Sequence, residues 1–203
     1  GVLVCAETEE AARDAAEELA EMTWERRADF FPDLTPLEDA IRIGLEGEGM
    51  TLVSDSGDAP TGGSAADSAA VLKALLAAGA DKAVRLSYLT LCDPDAARVA
   101  IAAGEGATVT LKLGHRFSTE DGSPVEVTGT VQSVSDGRYM VHDGGMDGLE
   151  MSMGPTAVLA IGAIRVLVRS QPSMEWDRAM YESQGLMLGD AALVFVKSPS
   201  HFR

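Results

Sequence analysis

Apolar and polar positions along the chain change period at about residue 106, and the two periods define two kinds of structure. Residues 2–5 (VLVC) read as a short strand that begins almost at the first residue, as in a polypeptide cut from something longer. Thr8 then N-caps a long acidic helix over about 9–29, on which Ala12, Ala15, Ala16, Leu19 and Met22 recur at helical spacing. Phe30, Phe31 and Pro32 end it. Thr35-Pro36 opens a second helix carrying Leu37, Ala40, Ile41, Ile43 and Gly44, stopped by Gly47 and Gly49. A strand at 50–53 enters a loop with Gly57, Pro60, Gly62 and Gly63, and the next helix is predicted to start near Ser64 or Ala65 and to end at Gly79. A buried strand at 83–91 and a helix at 95–103, capped by Asp93-Pro94 and closed by Gly104, complete this part. Such alternation predicts a parallel α/β layer, with ligands at the C-terminal ends of its strands.

From Gly106 the alternation is twofold. Thr108, Thr110 and Lys112 alternate with Val109, Leu111 and Leu113, and further alternating runs follow around DG turns at Asp121-Gly122 and Asp136-Gly137. The runs 156–161 and 164–169 extend this sheet across Gly162. A last helix over about 174–184, carrying Trp176 and Tyr181, breaks at Gly185, and 191–197 returns a strand to the frame. The expected fold is therefore α/β: a parallel-strand frame with an antiparallel β-rich insertion at about 106–170. Residues 1–48 are expected to be the tail of a preceding domain or a linker, and 49–203 the main domain.

Composition narrows the functions. The 203 residues carry a net charge of −16, with no basic stripe to neutralise phosphates, which excludes a nucleic-acid partner. No apolar run approaches the ~20 residues of a membrane span. Cys5 and Cys92 both lie in apolar runs and are expected to be buried free thiols in a reducing, cytoplasmic setting.

Candidate chemistry concentrates at 54–76. Here a strand, a Gly-rich loop and an Ala- and Leu-rich helix follow one another, and the loop matches neither GxGxxG nor GxxxxGKS. A helix N-terminus there would suit an anionic or carbonyl-bearing ligand. Asp55, Asp58 and Asp67 crowd the same turn, so a cation, a protonated group or a hydrogen-bond network also fits, as does a plain βα turn capped by Asp and Ser. His115, His142 and His201 are far apart and form no HExxH, and no GxSxG elbow occurs. Lys197 and His201 fall at the C-terminal end of the last strand, where they either serve a site or pack on the neighbouring strand.

The segment DAPTGGSAADS, followed by VLKALLAAGA, resembles the motif that opens the C-terminal domain of microcystinase C (MlrC)-like metallopeptidases. GATVTLKLGH at 106–115, MGPTAVLAIGAIRVLVRSQPS at 153–173 and LVFVKSPSHFR at 193–203 are similar to the same domain, in the same order. Ala66 departs from the pattern, standing where that family usually has Gly. The resemblance implies zinc-activated water attacking a linear peptide or other amide, with the zinc ligands mainly in an N-terminal metal-binding domain and none in this chain. This chain would then line or close the cleft and be inactive alone, with oligomerisation left open. Asp58, Gly62, Gly63, Asp67 and His201 are the candidate cleft residues: Asp58 and the two glycine amides to orient substrate or a zinc-bound water, Asp67 to do so or to cap the helix. Two other readings stand beside it: a non-catalytic domain holding an anionic small molecule at residues 57–64, and a docking domain.

Overall fold

The computed structural model describes residues 1–117, 119, 122–142 and 146–199, and the chain divides into two compact units, Gly1–Thr35 and Pro36–Arg203. In the first, Thr8 accepts the N–H of Ala11 and starts α1 (Glu9–Glu25), as expected. The helix ends sooner than predicted, because Arg27–Phe30 tightens into a 3-10 turn. Residues 2–5 form no strand, correcting that expectation: an apolar β-prone run still needs a neighbour to take up its backbone groups, and no described strand pairs with it. Cys5, expected to be buried, is exposed for the same reason.

The second unit opens with α2 (Leu37–Glu46), N-capped by Pro36. Its amphipathic face lands on the last strand of the chain, and Gly44 sets the distance: a Cβ there would lie 2.2 Å from the Leu193 side chain. After β1 (Thr51–Ser54) comes a 3-10 turn at Pro60–Gly62, and α3 (Ala70–Ala77) begins well past Ser64. This corrects the predicted start. Ala66 takes a left-handed φ of +58°, which no helix accommodates, and the amides of Ser68 and Ala69 are engaged by Asp58 and His115. The left-handed backbone also accounts for the Gly that the resembled motif carries at this step.

Then follow β2 (Leu86–Cys92), α4 (Pro94–Ala103, capped by Asp93), β3 (Thr108–Leu113), β4 (Val125–Ser135), β5 (Arg138–Met140), β6 (Glu150–Ser152), β7 (Thr156–Ile161) and β8 (Ile164–Arg169). The predicted last helix shrinks to α5 (Ala179–Glu182), which Gly185 follows in a left-handed conformation. Residues 173–177, including Trp176, stay out of it because Arg169 binds the Ser173 carbonyl and the Glu175 carboxylate. The chain returns through β9 (Ala191–Val196).

One seven-stranded sheet results, in the order β1-β9-β2-β8-β7-β4-β3, beside a two-stranded β5-β6 ribbon. Strands β1, β9, β2 and β8 are parallel, whereas β7, β4 and β3 continue the same sheet antiparallel. The α/β frame with its β-rich region is thus present, and the antiparallel strands prolong the frame through β8. All six residues of β9 are buried, Leu193 and Phe195 in one core with Leu72, Leu75 and Leu91, Val194 and Val196 in another with Tyr88, Met180 and Tyr181. No helix among the described residues is long and apolar enough to cross a membrane.

Candidate functional site

Strands β1 and β9 end side by side, Ser54 opposite Val196, so Asp55 and Lys197 emerge together at their C-terminal ends. Strand alternation puts Lys197 on the same face as Leu193 and Phe195, towards the loop after β1. Its ammonium lies 2.7 Å from Asp58 Oδ2 and 3.0 Å from Asp55 Oδ2, with the residue only 4% exposed. Asp58 also accepts hydrogen bonds from the Ser64 hydroxyl and, at 2.9 Å, from the Ser68 N–H. One carboxylate therefore ties the two ends of the Gly-rich loop to the last strand.

A second strand end meets this loop. Gly114 and His115, both left-handed, close β3 against it; a Cβ on Gly114 would lie 2.8 Å from the Asp67 carbonyl. The His115 N–H donates to that carbonyl at 2.7 Å, the Asp67 carboxylate accepts the Phe117 N–H at 2.8 Å, and His115 Nε2 accepts the Ala69 N–H at 3.2 Å. With Nε2 accepting, Nδ1 is the ring nitrogen left to donate. Asp93 joins the two ends: it caps α4 through the Ala96 N–H and accepts the Gly114 N–H at 3.1 Å.

Between these walls opens a cleft of about 380 Å³ lined by Asp58, Ser64, Ala65, Asp67, Ser68 and His115, with Asp55 and Gly57 at one side. Burial raises the Asp58 carboxyl, but the Lys197 ammonium and the Ser64 and Ser68 hydrogen bonds outweigh it and leave its pKa below the ordinary value. Lys197 is pulled down by burial and pushed further up by Asp55 and Asp58, ending above its ordinary value. The pair is ionised at neutral pH. Asp55 and Asp58 share the one lysine and Asp67 lines the same cleft, so the cleft favours donors and positive groups and opposes a free anion. α3 starts only at Ala70, and the Ser68 and Ala69 amides ahead of it donate to Asp58 and His115.

Beneath the cleft lies a second buried charge group. Glu175 accepts the Lys197 N–H at 2.6 Å, the Thr90 hydroxyl at 2.5 Å and Arg169 Nη2 at 2.6 Å. Cys92, expected to be buried, is buried; its thiol is pushed up to about 11, chiefly by burial, which keeps it protonated and inert.

Of the sequence candidates, the structure brings Asp58 and Asp67 to the cleft. Gly62 and Gly63 sit on the exposed 3-10 turn and do not line it, and His201 lies outside the described residues. His115 was not among the candidates; the signal for it was the Gly-His pair closing an alternating strand. Among the described residues no three His, Cys, Asp or Glu side chains come together as a metal site. The carboxylates lining the cleft are engaged by Lys197 and backbone amides.

The class these features define is a mixed α/β domain with an acidic, lysine-braced cleft at its parallel strand ends. Residues 53–203 match the family described as MlrC C-terminus, and the chain belongs to that family. It is also similar to a candidate metallopeptidase from Mesorhizobium sp. BNC1 known from a crystal structure: 29% identity, TM-score 0.80, with the match covering 94% of this chain and 38% of that one. The chain thus spans well under half the length of that relative. Among curated proteins none matches.

Proposed function

We propose that the chain is the substrate-facing part of a zinc-dependent peptidase, and that the Asp58–Asp67–His115 cleft lines the path of a linear peptide or other small amide. In this proposal residues 49–203 are the C-terminal domain, with α2 packed on its strand β9, and the residues before α2 are the tail of the domain that precedes it. That preceding domain holds the zinc, which supplies an activated water, and the isolated chain is inactive. The two free cysteines suit a cytoplasmic setting. Asp58 and Asp67 act as braces, fixing the walls and leaving Ser64, Ser68 and His115 to contact substrate; Gly62, Gly63 and His201 stay in the proposal on family likeness alone.

A single observation carries this reading: the family's opening motif builds an open, acidic cleft at the parallel strand ends, where α/β sheets place their ligands. A peptide suits the cleft because the cleft's negative charge attracts its amino terminus, while its amide groups can hydrogen-bond Ser64, Ser68 and His115. The test is metal analysis of the intact gene product together with assays on a panel of linear peptides. Bound zinc and hydrolysis that a chelator abolishes and added zinc restores are expected. A zinc-loaded protein that cleaves none of the peptides would overturn the reading.

A further inference from the structure

Unit Gly1–Thr35 contains an amphipathic helix, α1, that carries no buried residue. Along α1, Ala12, Ala15, Ala16, Leu19 and Met22 form one stripe at three- and four-residue steps, while Glu10, Asp14, Glu17, Glu21 and Glu25 fall on the opposite side. No residue of α1 is buried; Leu19 and Met22 are 45% and 44% exposed, and Phe31 beyond the helix is 79% exposed. Ahead of the helix, VLVC has the composition of a buried parallel strand, yet pairs with no described strand and leaves Leu3 92% exposed. An apolar β-run followed directly by a capped amphipathic helix is the pattern of a βα unit, whose helix stripe packs on the sheet its strand joins.

The charge on this unit selects among occupants. Residues 1–35 carry ten carboxylates against three arginines, so two copies brought together here would repel, and an anionic lipid surface, which basic helices seek, would repel it too. A protein domain with an open edge on a parallel sheet meets both needs, pairing the strand and covering the stripe while the acidic side faces water. The Mesorhizobium relative shows that chains of this kind occur joined to a longer further part, since only 38% of it is matched.

We infer that residues 2–5 and α1 complete the parallel sheet of a second protein domain, residues 2–5 adding as a strand and the Ala12-to-Met22 stripe closing over it. This rests on the peptidase reading, in which that domain is the one bearing the metal ligands.

Hydrogen–deuterium exchange on the intact gene product and on the 203-residue chain tests it. In the intact protein the amides of residues 2–5 and of α1 are expected to exchange at least about 100-fold more slowly than in the chain alone. Leu19→Asp with Met22→Asp should abolish that difference while leaving the thermal unfolding of residues 36–203 unchanged, because neither side chain is buried. Fast exchange at residues 2–25 in the intact protein overturns the inference, including the case in which the gene product is no longer than this chain. So does protection that appears only with self-association of the chain. Peptide hydrolysis measured on the same intact sample separates the two ideas: protection without hydrolysis defeats the peptidase reading alone, and hydrolysis without protection defeats the docking inference alone.

Discussion

Lys197 illustrates how much of the cleft depends on one side chain. Replacing it by Met removes the ammonium and leaves Asp58 charged and buried, so Lys197→Met should cost about 3 kcal/mol in urea unfolding. Adding Asp58→Asn should recover part of that; a loss below about 1 kcal/mol for the single variant would contradict the pairing. The pH dependence follows from the same contact. Asp58 has a folded pKa below its ordinary 3.8, so its contribution is present above 3.8 and is lost as pH falls through the lower folded value. Lys197 is raised above 10.5, so its contribution holds below 10.5 and is lost only as pH rises through the folded value. Asp58→Asn should therefore flatten the acid limb of stability, read from unfolding midpoints at stepped pH. At this scale sequence nominated Asp58, Asp67 and the position of Lys197, but not their partners. The Lys197–Asp58 contact spans 139 positions and the Ala69–His115 contact 46, and no local pattern encodes such pairs.

Elements with local signals were legible, and those fixed by distant contacts were not. Thr8, Asp93, Gly79 and Gly104 mark helix ends where caps and glycines predict them. The late start of α3 and the shortening of α5 have tertiary causes: Asp58 and His115 hold the amides before α3, and Arg169 holds residues 173–175. Residues 2–5 fail as a strand for want of a neighbour. The α2–β9 contact yields a direct prediction: a side chain at Gly44 would collide with Leu193, so Gly44→Val should destabilise by about 2 kcal/mol, measured by thermal unfolding. A neutral effect would mean that α2 does not pack on β9 at this distance.

For the whole molecule, the change of period at residue 106 marked the change from helix-linked to antiparallel strands. What it did not show was that β8 joins the two into a single sheet, because pairing order leaves no periodic trace. The loop that follows β1 meets the end of β3 around one cleft, and the central claim is that a peptide lies in it. Gly57 offers the most direct test, since it lines the cleft and nothing lies within 4 Å of where its Cβ would be. Gly57→Trp therefore adds bulk at the cleft wall without disturbing the packed residues. Measured on the intact gene product with a linear peptide substrate, it should lower kcat/KM at least about tenfold with the unfolding temperature and zinc content unchanged. Wild-type kcat/KM in that variant would contradict the placement of substrate in this cleft.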